Sequence, residues 1–328
     1  MKILEPNIDS IFNIKDNPDF ETLALQVFNY QYHKNIVYKR FVDLLNVEVS
    51  EVDKLAKIPF FPISFFKSHE VIIGSAYETI FKSSGTTGQI RSQHKVVDLS
   101  IYEKSFIQCF ENFYENISEY CVLALLPSYI EQGESSLVYM VDDFVTKTKH
   151  NGSGFYLDNF EELNNKINQL ENKNQKFILI GVSYALLDFC EKFPQQLRCG
   201  IVMETGGMKG RRKELTKSEL HQELSTGFGQ ENIHSEYGMT ELLSQAYSRG
   251  GGIYTPPNWM KVLTRSTTDP TEIIKSQRGL INIIDLANVN SCSFIATDDL
   301  GIVDKNGQFQ VLGRFDQSEI RGCNLLVN

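Results

Sequence analysis

Three short runs of nearly unbroken apolar character constrain this chain most: "YCVLALLP" (120–127), "KFILIG" (176–181) and "GIVMETGG" (200–207). A strand that is apolar at every position, rather than at every second one, must be covered on both faces. The segments between them have helical spacing: "GESSLVYMVDDFVTKT" (133–148), "NFEELNNKINQLEN" (159–172) and "YALLDFCEKF" (184–193). Buried strands that alternate with helices predict an α/β fold whose sheets are mostly parallel and covered by helices. Upstream, "ETIFKSS" (78–84) reads as a strand and "DLSIYEKSFIQCFENFYEN" (98–116) as a helix with Asp98 as its N-cap.

Either side of this block the texture differs. Residues 20–46 repeat apolar side chains at helical spacing (Phe20, Leu23, Val27, Val37, Phe41, Leu44, Leu45), and Ser50 is expected to cap a further short helix with Asp53 at its third position. Pro59 and Pro62 in "IPFFPISFFKS" end the helical run. This N-terminal part is expected to pack on a later sheet. After residue 250 the chain is strand-like and rich in turns, a smaller β-rich region, and "VDKNGQFQVLG" predicts a hairpin with Asn306-Gly307 at its tip. The 328 residues suggest roughly two domains.

Composition excludes several classes. With a net charge of −9 the chain lacks a broad basic face, and its one dense basic cluster, Lys209, Arg211, Arg212 and Lys213, reads as a solvated turn, so no nucleic acid is expected. The opening "MKILEPNIDS" is not followed by an apolar core, so a signal peptide is not expected, and the longest apolar run falls far below the roughly 20 residues that span a bilayer. A cytoplasmic protein without a membrane span is expected. The six cysteines contain no C-x-x-C pair and the six histidines no H-E-x-x-H, so a structural metal has no support.

The chemistry lies in the polar turns. "SSGTTG", Ser83, Ser84, Gly85, Thr86, Thr87 and Gly88, follows a strand and precedes Arg91 and Lys95. Glycine lets backbone N–H groups approach an anion closely, and hydroxyls and cations add to such a cradle, yet the pattern is neither G-x-x-x-x-G-K-[ST] nor G-x-G-x-x-G. A phosphate cradle and a plain exposed loop both fit it. In "SEYGMTE" (235–241), Tyr237 suits stacking on a base, Thr240 donation to a phosphate and Glu241 a hard cation such as Mg²⁺. "TDDLG" (297–301) reads as two carboxylates at a strand end, placed for ribose hydroxyls or for capping a turn, and "GRFDQSEIRG" (313–322) puts Arg314 in a turn.

In this order, "SSGTTG", "YGMTE", "TDDLG" and "GRFDQSEIRG" resemble the successive core motifs of the adenylate-forming superfamily of acyl- and aryl-CoA ligases and luciferase, from about Phe81 to Gly322. With the lead-in "PFFPISFFKSHEV", the chain looks most like the LuxE-type acyl-protein synthetases of that superfamily, the long-chain-fatty-acid–luciferin-component ligases. The resemblance implies the N-terminal domain of an adenylate-forming enzyme without the full C-terminal lid domain. Residues 1–77 would be a helical region packed on the core, 78–312 the adenylate-forming core, and 313–328 a hinge-like motif and tail.

It further implies that Ser83 to Gly88 wrap the phosphates of ATP, Tyr237 and its neighbour Gly238 meet the nucleotide with the ring against adenine, and Gly206 and Gly207 support the base. Thr240 would touch the α-phosphate and the carboxylate being activated, Glu241 would hold Mg²⁺, and Asp299 would bind the ribose with Arg314 near it. Two departures stand out. Arg91 is nearest the place where the superfamily often has lysine, and it keeps the charge but not the geometry. The C-terminal domain that bears the superfamily's catalytic lysine is also missing from the resemblance. The LuxE-type enzymes pass the acyl group to a cysteine of their own near the C-terminus, which implies Cys323, with Arg321 favouring its thiolate. The implied reaction is fatty-acid activation as acyl-AMP, transfer to Cys323, and delivery to a partner such as an acyl reductase.

Three other readings stay open on the residues. Gly181-x-Ser183-x-Ala185 approximates a hydrolase nucleophile elbow, with Asp188, His221 and His234 downstream. The others are a non-catalytic nucleotide-binding protein and an acyl or aryl transferase with a different acceptor.

Overall fold

In the computed structural model, residues 4–84, 90–127, 133–206, 212 and 215–315 are described. Up to Ala76 and from Asn258 onward they form one compact unit, and Tyr77–Pro257 form the other.

The 77–257 unit is built on a six-stranded sheet in the order Gly154–Phe155, Cys121–Leu125, Phe177–Val182, Gly200–Thr205, His234–Tyr237, Ala246–Ser248. Every pairing is parallel except the last, which is antiparallel. All residues of Cys121–Leu125 and Phe177–Val182 are buried, as their unbroken apolar runs require. The helices Ser136–Thr148, Phe160–Asn172, Ser183–Lys192 and Lys217–Phe228 make the crossovers that parallel strands need. Asp98 caps the helix Leu99–Phe113 as expected, accepting the amide of Ser100.

An antiparallel pair, Thr79–Lys82 with Gln93–Val96, carries the glycine loop. It is anchored by Phe81, which is fully buried and packs edge-on against Tyr102 at 5.4 Å, with Phe106 4.9 Å further on. Rigid aromatic packing at its base fixes where the loop begins.

The other unit is an antiparallel sheet in which Phe294–Val303 lies between Gly279–Asp285 and Phe309–Arg314, with Met260–Arg265 beyond Gly279–Asp285. Phe61–Pro62 adds a short parallel edge to Phe294–Val303. The N-terminal helices pack here. The buried amide of Gln31 donates to the carbonyls of Asn288 and Val289, and Phe28 meets Phe294 edge-on at 6.2 Å. The aromatics of "FFPISFF" join this core, Phe61 and Phe66 being buried with Phe61 against Phe65 and Tyr38. The hairpin tip is as expected, with Gly307 at φ +82°. Among the described residues no helix is long and apolar enough to cross a membrane.

The 20–46 periodicity is helical as expected, in two helices, Asn17–Lys34 and Ile36–Leu44, because Asn35 leaves helical geometry and its side chain accepts the amide of Tyr38. Two local expectations are corrected. Ser50 does not cap a helix: it sits within a single 3₁₀ turn, Val49–Glu51, and donates to Glu48, while Asp53 pairs with Lys57 at 3.0 Å. "TDDLG" lies inside the strand Phe294–Val303 rather than at its end. The chain can bend there because Leu280 pairs with Leu300 but Asn282 with Ala296, so Ile281 faces Thr297, Asp298 and Asp299 together.

Gly301 follows this bulge, and a Cβ there would lie 2.5 Å from the Gln310 carbonyl oxygen. Gly301→Ala is therefore expected to destabilise the fold by about 1–3 kcal/mol through backbone displacement, measured as a lower urea midpoint at unchanged slope.

Candidate functional site

In the parallel sheet, side chains free for chemistry collect where the strands end, since the strands themselves are packed on both faces. Gly200–Thr205 ends at Gly206, which adopts φ +68°. The adjacent strand ends in Tyr237, which opens the "YGMTE" turn. Tyr237 is half-buried, with its ring 5.7 Å from that of Tyr254. Gly238 has a steric reason: a Cβ would sit 2.5 Å from the carboxylate Oε1 of Glu236, which folds back under the turn. Thr240 is half-buried and Glu241 is buried.

The turn is tied to the glycine-loop hairpin. His94, on the strand Gln93–Val96 and 1% exposed, lies with Nδ1 2.9 Å from the Thr240 carbonyl oxygen. A carbonyl only accepts, so Nδ1 carries the proton. Burial lowers the pKa of this imidazole to about 4, against a smaller opposing effect of the bond to Thr240, so it is neutral.

The loop's neck is held equally closely. The Ser83 hydroxyl accepts the Ser92 amide at 2.9 Å, and the Ser83 amide donates to the Ser92 carbonyl at 3.1 Å. Arg91 donates from Nε to the Ser83 carbonyl at 2.5 Å and from Nη2 to the Lys82 carbonyl at 3.2 Å, while Nη1 reaches Glu134 at 3.4 Å. Glu134 also pairs with Lys82. The planar fork of Arg91 thus clasps one limb of the loop to the other. Lys95 instead covers the Tyr77 ring at 4.9 Å. Gly85, Thr86, Thr87, Gly88 and Gly207 lie outside the described residues, as does Cys323.

Behind the strand ends is a charged cluster that sequence reading missed. Glu204 is fully buried and meets Lys217 Nζ at 2.5 Å and His221 Nε2 at 3.4 Å. Burial alone would raise its pKa, but the bond to His221 and the charge and hydrogen bond of Lys217 outweigh it and hold it low. The Ser183 hydroxyl donates to Glu204 at 3.4 Å and to the Gly206 carbonyl at 3.3 Å, bracing the glycine turn. Glu236 behaves in the opposite way. Burial, helped by the charge of Glu204, raises it to about 7 despite the Thr205 hydroxyl bond.

These contacts separate the hydrolase reading from the geometry. The Ser183 hydroxyl meets an acid and a carbonyl, not a histidine. His221 bonds Ser235, His234 bonds the Tyr114 hydroxyl, and Asp188 pairs with Arg212.

Asp299 and Arg314 belong to the other unit, where they are cross-strand partners with Arg314 Nε 3.8 Å from Asp299 Oδ1. The Asp299 amide donates to the Thr297 hydroxyl within the bulge. Of the missed residues, His94 stands between Arg91 and Lys95 and Glu204 just before Thr205, Gly206 and Gly207, but nothing in the sequence signals their burial. As for Mg²⁺, the described residues hold no cluster of three His, Cys, Asp or Glu side chains. Glu241, the residue expected to hold Mg²⁺, is buried, and its carboxylate is the oxygen-donor type that a hard cation takes.

No family model matches the chain. In sequence it is similar to the long-chain-fatty-acid–luciferin-component ligase of Vibrio harveyi, 24% identical over 333 residues, which span 93% of this chain and 86% of that protein. The ligase of the same name from Aliivibrio fischeri is 21% identical with the same coverage. Among solved structures it is similar to O-succinylbenzoate coenzyme A synthetase from Bacillus subtilis in complex with ATP and magnesium ion, with TM-score 0.52 and 17% identity over 74% of this chain and 51% of that one. The chain spans about half the length of the solved structures it matches. Its fold is that of the N-terminal domain of adenylate-forming enzymes, and in sequence it is a relative of ligases.

Two pH effects follow from the buried groups. The folded pKa of His94 lies below its unfolded value of 6.5, so the unfolded chain takes up the proton first and stability falls as pH drops from 6.5 towards 4. His94→Asn, which keeps an amide donor near the Nδ1 position, is expected to lose on the order of 3 kcal/mol of that pH dependence in denaturant titrations. Glu236 has the reverse sign: its folded pKa lies above 4.5, so it withdraws stability as pH rises from 4.5 through about 7. Glu236→Gln is expected to gain about 2–3 kcal/mol over the wild type on going from pH 4 to pH 8, read from the same titrations.

Proposed function

We propose that this chain activates a long-chain fatty acid with ATP, forming acyl-AMP and pyrophosphate, and then passes the acyl group to the thiol of Cys323. The observation that carries this reading is the meeting of two motifs: His94, just beyond the glycine loop, holds the carbonyl of Thr240 in the "YGMTE" turn. Strand ends furnished in this way suit phosphates on one side and a base on the other. The sequence relation to ligases supports the choice of acid.

In the first step a carboxylate oxygen attacks the α-phosphorus, a new P–O bond forms, and the bond to the β-phosphate bridging oxygen breaks to release pyrophosphate. Ser83, Ser84 and the glycine-loop residues through Gly88 donate to the phosphates. The Thr240 hydroxyl donates to the α-phosphate oxygen, where charge accumulates. Tyr237 and Gly238 meet the adenine with Gly206 and Gly207, and Asp299 takes the ribose hydroxyls with Arg314 close by. Bound through Glu241, Mg²⁺ would neutralise phosphate charge. Arg91 acts here as a positioning residue that keeps the loop's neck closed.

In the second step the Cys323 thiolate attacks the acyl carbonyl, the bond to AMP breaks, and a thioester remains for a partner such as an acyl reductase in the cytoplasm. The described cysteines suit this role poorly. Burial raises Cys190 to about 11 and Cys292 to about 12, and it also raises Cys121.

The test is intact-protein mass and pyrophosphate release after incubation with Mg-ATP and a panel of fatty acids. The wild type is expected to gain one acyl group that neutral hydroxylamine removes, and Cys323→Ser to release pyrophosphate without an adduct. Thr240→Ala should slow pyrophosphate release by on the order of 10²–10³-fold. An adduct that persists in Cys323→Ser would sink the cysteine step. Absence of fatty-acid-dependent pyrophosphate release would sink the adenylation.

A further inference from the structure

The β-rich unit contains a buried cation that the reaction above does not use. Arg265 ends the strand Met260–Arg265 and is 6% exposed. Burial pulls its pKa down to about 10, with the charge of Asp298 opposing this. Among the described residues no carboxylate lies within ion-pair distance of it. Its guanidinium donates from Nη1 to the Ile281 carbonyl at 2.9 Å and to Asn282 Oδ1 at 2.6 Å, and from Nη2 to the Thr297 carbonyl at 2.7 Å.

An unpaired cation in a sheet core is costly, and an apolar side chain of similar volume would serve packing better. What the fork does achieve is specific to this place. Ile281 and Thr297 are where the ladder slips, one residue of Gly279–Asp285 facing Thr297, Asp298 and Asp299 of the neighbouring strand. Arg265 holds a carbonyl on each side of the slip. The Thr297 hydroxyl completes the brace, donating to the Ile281 carbonyl at 2.9 Å and accepting the Asp299 amide at 3.1 Å. The bulge takes Asp298 and Asp299 out of the regular ladder and sets Asp299 opposite Arg314. Lysine could not do the same, because a single ammonium does not present parallel donors in a fixed plane.

We propose that Arg265 is a positioning residue for the nucleotide ribose: by bridging Ile281 and Thr297 it holds the three-residue bulge that sets the carboxylate of Asp299. The inference rests on the reading that Asp299 binds the ribose hydroxyls, and the test separates the two. Pyrophosphate release would be measured with Mg-ATP and with Mg-2′,3′-dideoxy-ATP for the wild type, Asp299→Asn, Arg265→Met, Arg265→Lys and the Asp299→Asn/Arg265→Met double variant. Thermal unfolding of each would run alongside.

The wild type is expected to prefer ATP by on the order of 10–10²-fold in kcat/KM, the worth of hydrogen bonds to a charged group. Folded Arg265→Met should lose most of that preference through a raised KM for ATP. The double variant should be no worse than Asp299→Asn. Should Arg265→Met fail to fold, Arg265→Lys carries the test, with a partial loss of preference expected. A preference lost in Asp299→Asn but intact in the folded Arg265 variants would overturn the role of Arg265 alone, as would an equal loss of activity with both nucleotides. Indifference of the wild type to the ribose hydroxyls would overturn the ribose reading itself and the inference with it.

Discussion

Burial on both faces of the parallel strands is the constraint from which the rest of the 77–257 unit follows. Cys121–Leu125 and Phe177–Val182 expose no side chain along their length, so polar function has to gather at their ends. There the backbone turns, amides lose their ladder partners, and glycine becomes necessary. Gly206 needs a positive φ, and Gly238 has to leave room for the Glu236 carboxylate. The polar groups that support these turns are buried as well, so each needs a partner or a changed charge state. Glu204 is ionised because Lys217 and His221 answer it, whereas burial and the nearby charge of Glu204 outweigh the Thr205 hydroxyl and the charge of Lys217 at Glu236, which keeps its proton to higher pH. Two carboxylates on adjacent strands thus differ by environment alone.

The sequence made the sheet readable because apolar continuity and strand burial are the same physical fact. Three neighbouring strands and the helices between them were legible from "YCVLALLP", "KFILIG" and "GIVMETGG"; the short strands Gly154–Phe155, His234–Tyr237 and Ala246–Ser248 were not. The N-terminal helices packing on later strands was equally legible, from periodicity and from the aromatics that Pro59 and Pro62 keep out of a helix. The break at Asn35 was not: its apolar neighbours continue the helical spacing, and only the side-chain bond to Tyr38 reveals the restart.

The candidate site was legible as motifs but not as contacts. Tyr237, Thr240 and Glu241 stand together in sequence and in space because one turn carries them. His94 is 146 positions from Thr240, and no local pattern marks a histidine as the tie between two loops. The bulge at Thr297–Asp299 was hidden for a related reason. A register slip is a property of two strands, and "TDDLG" alone reads as a strand end because its carboxylates are unfit for a regular ladder. The misreading located the irregularity correctly and mistook its kind.

Thiol burial bears on the proposed reaction, whose first product is an acyl-adenylate. Such mixed anhydrides acylate any accessible thiolate, so each additional reactive cysteine would be a competing acceptor. Cys109, Cys121, Cys190 and Cys292 are all buried here. For the last three, desolvation moves the pKa up, which removes the thiolate as well as the access. Cys199 is half-buried just before the strand Gly200–Thr205, at the opposite end from Gly206. Under the proposed reaction, the physics that packs the core therefore also keeps these thiols from the acyl-adenylate. Selectivity for Cys323 then asks only that its thiolate reach the acyl-adenylate, because the other thiols, all among the described residues, are buried or distant from the strand ends.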